Sequence, residues 1–188
     1  MSKLKSIIAI LIIAILGGSF SGCSSKQPEK YVNPEFKGAP KWVMMPKVKG
    51  YVADIGIAKK NAGDDFSFQR EEAMADARDN IAKQISVKVK NMFKAFKSST
   101  GSGTDKTFDN SSEKVSKQIA NQTLNGSRLE DTWVSQSGTL YVLMVVDSKS
   151  VVDLVAKSTK TSFGNNKAMY QKFLASQAQG ELAKELEK

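Results

Sequence analysis

The residues with the most chemical potential in this sequence are four acids, Glu71, Glu72, Asp76 and Asp79. On a helix, Glu72, Asp76 and Asp79 share one side, and carboxylates so spaced can act as an acid–base pair or hold a cation. The plainer reading is that acids gather in the first turns of a helix, where its dipole favours them, and are solvated there. Serines are many, but the chain has no histidine, which removes the commonest general base and the commonest zinc or copper ligand. Only serine–lysine arrangements remain for nucleophilic catalysis, and Ser116-Lys117 and Ser86-Val87-Lys88 carry no recognisable mechanism. Gly101-Ser102-Gly103 lacks the preceding strand and following Lys-Ser or Lys-Thr of a phosphate loop, so it reads as plain loop. Lys83, Lys88, Lys90, Lys94 and Lys97 form a basic stripe suited to anionic lipid or polysaccharide, or simply a solvated helix face. Trp42 and Trp133, with lysines nearby, suit sugar stacking but more commonly anchor a core. The expectation is no enzyme: no catalytic residue, no cofactor and no metal site.

One residue does carry assignable chemistry. Cys23 is the only cysteine. Before it come two lysines, Lys3 and Lys5, an apolar block from Ile7 to Leu16, and then Gly17-Gly18-Ser19-Phe20-Ser21-Gly22. A charged start, a short apolar core and a small-residue cleavage region make a secretory signal peptide over residues 1–22. The apolar block is about half the ~20 residues a membrane-spanning helix needs. Small residues followed by Cys23 resemble a bacterial lipobox, although Phe20 stands where an aliphatic residue is usual. The thiol then takes a diacylglyceryl group, the peptide is cut before it, and the new amine receives a fatty acid such as palmitate. Two or more chains anchor stably, where one chain holds only marginally. With its sole cysteine lipidated, the exported part has no disulfide and must be held by its own core.

The leader contains two of the 28 basic residues and none of the 19 acidic ones, so the 166 residues after it carry a net charge of +7. That length supports one domain with a real core. In an exported protein the matching polyanions are lipid headgroups, lipopolysaccharide and acidic cell-wall polymers, not nucleic acid.

Residues 23–48 read as the lipidated cysteine and an extended tether. Pro40 and Pro46 bracket an apolar run, bias its flanks toward extended backbone, and leave Trp42 to lie against the domain. Residues 49–160 read as the domain. Tyr51–Ala58 alternates as a strand, with Tyr51, Ala53, Ile55 and Ile57 on one face. After the Gly63-Asp64-Asp65 turn, Met74, Ala77, Ile81, Ile85, Val89, Met92 and Phe96 recur every three or four residues, which predicts a helix from Phe66 to about Lys97. Residues 98–110 read as loop, with a second helix over Glu113–Thr123, capped by Ser111 or Ser112 and turning Val115, Ile119 and Leu124 inward. Strands follow at Arg128–Ser135 and Thr139–Val146, joined by Ser135-Gln136-Ser137-Gly138. The second is apolar on both faces, which places it centrally. Asp147-Ser148 caps a helix to about Lys157. Residues 161–188 read as a helical extension, one helix from about Lys167 with a solvated, charged ending. The order predicts an α+β fold: a three-stranded, largely antiparallel sheet packed by one long helix, with shorter helices after it.

Several of these segments join in a family resemblance. Lys37-Gly38-Ala39-Pro40-Lys41-Trp42-Val43, the Gly56-containing strand, the Ala73-x-x-x-Ala77-Arg78-x-x-Ile81-Ala82 helix, Ser112 to Ile119 and Thr139 to Val145 resemble the twenty-kilodalton Helicobacter membrane lipoprotein family, which includes flagellar lipoproteins. The resemblance spans about residues 1–158. It departs at Lys41, where relatives often carry an acid before the tryptophan. It implies an outer-membrane or surface lipoprotein, antigenic in some members, without established catalytic residues; flagellar members build discs or rings around the motor. Only Cys23 carries over as a functional residue. Ser24-Ser25 lack the aspartate that retains enteric lipoproteins in the inner membrane. The expectation is therefore an outer-membrane lipoprotein with a structural or protein-binding role, its partners the membrane through the lipid anchor and proteins or copies of itself. The alternative is an envelope polyanion binder using the long helix's lysines.

Overall fold

The computed structural model of the 188-residue chain describes residues 33–100, 106–163 and 166–187. A 3-10 turn at Pro34–Phe36 and a single helical turn, α1 (Lys41–Met44), lead into strand β1 (Tyr51–Ala58). The long helix α2 (Phe66–Thr100), α3 (Lys106–Gly126), the strands β2 (Arg128–Val134) and β3 (Leu140–Asp147), and the helices α4 (Ser148–Ser162), α5 (Lys167–Ala175) and α6 (Ala178–Leu186) complete the chain. The sheet order is β1-β3-β2 and both pairings are antiparallel, so the strand that is apolar on both faces is the central one. This is the expected α+β fold.

Helix α2 begins where the sequence marks it. Asp65 Oδ1 accepts from the Phe68 amide at 3.1 Å, and Asn61 in turn holds the Asp65 amide at 2.9 Å. Capping satisfies amide donors that a helix start otherwise leaves open. At 1.5 Å per residue its 35 residues span ~52 Å. Its inward stripe of Ala73, Ala77, Ile81, Ile85, Val89, Met92, Phe93 and Phe96 is fully buried. The stripe lies on the sheet face made by Val52, Ala58, Leu140, Val142, Met144 and Val146. The helix therefore crosses the Gly56 face of β1, not the face of Tyr51, Ala53, Ile55 and Ile57. Gly56 is what allows this, because its missing side chain leaves room for the small Ala73 and Ala77. Bulk alternation alone points to the wrong face.

Three local expectations differ. Residues 106–110 are helical, so α3 starts at Lys106 rather than after Ser112. The Ser112 hydroxyl instead donates to the Asp109 carbonyl inside the helix. Val115 and Ile119 do point inward. The Leu124 side chain lies outside what is described. The C-terminal segment is two helices: Gln177 adopts a left-handed conformation at φ 57° and turns α6 back. The charged ending is not solvated on all sides either. Its charges face out, while Ala178, Leu182 and Leu186 are buried on the α2 and α4 side. Phe173 of α5 sits in an aromatic cluster with Phe93, Phe96 and Phe163, centroids 5.3–6.1 Å away. The sequence pattern of charges hid an apolar side only two or three residues wide.

Candidate functional site

The second face of the sheet is where the chain enters the domain. Tyr51, Ala53 and Ile55 of β1, Tyr141, Leu143 and Val145 of β3, and Asp131 and Trp133 of β2 lie on it by register. The segment 33–48 crosses it as a strap. Here the expectation of extended backbone fails at α1, where one helical turn lets two neighbouring residues point differently. Val43 goes down and is 3% exposed, while Met44 and Met45 are held out at 65% and 72%. Trp42 packs beside Ala53, Leu143 and Val145, and its indole Nε1 donates to Asp131 Oδ2 at 2.7 Å. It is the anchor the sequence suggests. At the other end Phe36 meets the Tyr141 ring edge-on at 6.2 Å. The Glu35 carboxylate accepts from the Tyr141 hydroxyl at 3.2 Å and the Ser137 hydroxyl at 3.1 Å. The hydroxyls of Ser135 and Ser137 hold the Glu35 carboxyl below its ordinary range, because hydrogen bonds to a charged form favour it. Trp133 packs on Tyr141 at 5.2 Å and completes this face. Both tryptophans thus serve as anchors for the strap and sheet.

Of the acids that could do catalysis, Asp76 does other work. β1 is an edge strand, and an unpaired edge invites strand addition. Asp76 Oδ2 accepts from the Ile57 amide at 3.0 Å, and Asn80 Nδ2 donates to the Ile55 carbonyl at 3.1 Å. Gln69, buried at the strand's end, donates to the carbonyls of Ala58 and Gly138. Asp76 and Asn80 of α2 thus take the place of a missing neighbouring strand, while Gln69 ties the end of β1 to the turn between β2 and β3. Asp54 lies near Asp76; burial first, then that charge, raises its pKa. Glu72 and Asp79 are exposed and Glu71 lines an open groove with Arg70 and Arg78. Among the described residues no three ligand-type side chains converge.

The lysine stripe is partly engaged. Lys97 pairs with Asp109 at 2.9 Å, and Lys88 donates to the Glu185 carbonyl. Lys90 and Lys94 are exposed beside a groove of about 370 Å3 that Lys97 also lines. Ser116 is buried and donates to the Ser112 carbonyl, and Lys117 pairs with Glu113, so neither forms a nucleophile pair. Cys23, the residue expected to carry the lipid, and Gly101–Gly103 lie outside the described residues. Sequence reasoning missed Glu35, Gln69, Asn80 and Asp131. Nothing local marks them, since each bonds a segment distant in the chain.

The fold and its strap define a single-sheet α+β domain carried on an N-terminal segment. The sequence profile of the LPP20 lipoprotein family matches residues 40–147, more than half of the chain, and the chain belongs to that family of lipoproteins. The match runs from Pro40 in the strap to Asp147, the cap of α4, and so takes in the whole sheet with α2 and α3. Neither the curated proteins nor the solved structures yield a match. Among the described residues no helix is long and apolar enough to cross a membrane.

Proposed function

We propose that this lipoprotein is cut before Cys23, lipidated there and held at the outer membrane. In this reading its domain has a structural, protein-binding role, associated with the flagellum, and is not an enzyme. Membership of the lipoprotein family supports the anchor, and the leader and lipobox-like residues supply its place. The observation that carries the non-catalytic part is the hydrogen bond from the Ile57 amide to Asp76. The best catalytic candidate in the sequence is spent on closing a sheet edge. Other acids are similarly committed: Glu35 and Asp131 to the strap, Asp65 and Asp147 to helix caps. Mass spectrometry of the protein from its native membrane tests the anchor, and an unacylated Cys23 overturns it. Crosslinking in intact cells with mass spectrometry identifies the partners. Deleting the gene and imaging the motor by cryo-tomography tests the flagellar part; unchanged discs and unchanged motility end it.

The groove beside Lys90 and Lys94 favours a second reading, envelope polyanion binding. It requires affinity for lipopolysaccharide or cell-wall fragments at low salt that weakens as salt screens it. Absence of binding at low salt ends this reading.

A further inference from the structure

We propose that the outer surface of the strap lies on an anionic phospholipid surface and orients the domain on its membrane. This deepens the lipid-anchor reading and rests on it. The first observation is the exposed pair Met44 and Met45. They are not loose: buried Val43 and the Trp42–Asp131 hydrogen bond fix the turn that carries them. A soluble face gains nothing from holding two adjacent methionines in water, whereas an interface takes up flexible apolar side chains readily. The second observation is charge. Between residues 33 and 50 stand Lys37, Lys41, Lys47 and Lys49, all exposed, with no ion pair among the described residues. The single acid in this stretch, Glu35, is bound to Tyr141 and Ser137 of the sheet. Basic residues around exposed apolar ones match an anionic headgroup layer with an acyl boundary beneath it.

The third observation is chain length. Asn33 lies ten residue steps beyond Cys23. Even fully extended they reach at most ~35 Å, at 3.3–3.6 Å per residue. A lipid on Cys23 therefore keeps the strap at high effective concentration over the bilayer, and weak contacts suffice to choose which side of the domain faces it.

The test uses the chain from residue 23 with Cys23→Ser, which cannot be lipidated, in flotation assays with phosphatidylcholine vesicles with or without phosphatidylglycerol. Binding is expected only with phosphatidylglycerol and is lost at high salt. Each lysine near such a surface contributes about fivefold in partitioning, so K41A/K47A/K49A lowers it by about a hundredfold. M44S/M45S lowers it by about tenfold. The α2 variant K83A/K90A/K94A leaves it unchanged. All these positions are exposed, and circular dichroism confirms that the variants fold. Absence of vesicle binding, equal binding by the strap variants, or loss in the α2 variant overturns the proposal. So does a strap variant that binds vesicles normally but loses self-association, which makes this surface a protein interface. Because the chain tested has no lipid, an unacylated Cys23 in cells sinks the anchor without altering this result.

Discussion

Gly56 lies directly beneath Ala73: a Cβ placed on Gly56 would sit 1.9 Å from the Ala73 carbonyl oxygen and 2.4 Å from the Ala77 amide nitrogen. Both obstacles are helix backbone, which cannot swing aside as a side chain can. Gly56→Ala must push α2 off the sheet along its first turns. Overpacking commonly costs 1–3 kcal/mol, and with backbone as the obstacle a loss of ~3 kcal/mol or more is expected. Chemical denaturation measures it. The control is Gly180→Ala, in a helix with open space around it. There alanine's better helix propensity is expected to raise stability by ~0.5–1 kcal/mol.

This contact also shows what the sequence makes legible. The period of α2, the three strands, the central place of β3 and the caps at Asp65 and Asp147 follow from local pattern, because each is set by residues close in the chain. The face of β1 that α2 covers does not follow, because a glycine contributes nothing to a hydrophobic pattern while deciding the closest contact in the fold. The inward turn of α6 was hidden for the opposite reason. Leu182 and Leu186 are few among Glu181, Lys184, Glu185 and Glu187, and burial depends on a neighbour far away in sequence. Of the candidate site, Trp42 was legible as an anchor. Its partner Asp131 was not, being 89 residues further on.

The side chains that close the β1 edge predict a pattern of rescue. Asp76→Ala leaves the Ile57 amide without its acceptor and is expected to lower stability by ~1–2 kcal/mol. Asp76→Asn keeps an acceptor and removes the charge near Asp54, so its stability stays near that of the parent. Hydrogen exchange at the Ile57 amide reports the bond directly and quickens only in the alanine variant. With Asn80→Ala added, the opened edge is expected to pair with another copy. Light scattering detects the resulting dimers or aggregates.

The strap is predicted to loosen in acid. Glu35 has a folded pKa below its unfolded value of ~4.3. Its contribution is therefore complete above the unfolded pKa and is lost as pH falls through the folded one. Protection of the Phe36 and Lys37 amides, which bond within the 3-10 turn, relative to their intrinsic exchange rate at each pH, should fall as pH drops through the folded pKa of Glu35. In Glu35→Gln this step is absent, since the amide keeps an acceptor for Tyr141 and Ser137 at every pH. Asp54 runs the other way. Its pKa is raised, so its charged form costs stability above the folded pKa, and protonation relieves that cost. Asp54→Asn is expected to flatten that opposing trend without moving the strap amides.

The C-terminal helices are predicted to be part of the domain's stability rather than an appendage. Phe173 is fully buried between Phe93, Phe96 and Phe163, and a phenylalanine so placed typically costs 3–5 kcal/mol when cut to alanine. Leu182→Ala should cost 2–5 kcal/mol, because Leu182 is buried in the core where α6 packs on α2. The adjacent Leu174→Ala, at a site 44% exposed, is expected to stay within ~0.5 kcal/mol. Removal of residues 178–188 uncovers the same stretch of α2 and should leave the chain prone to association. The measurement is the denaturant midpoint at unchanged slope. If the truncated chain unfolds at the midpoint of the full one, α6 contributes nothing, and its buried leucines are only laid against a core that is already complete.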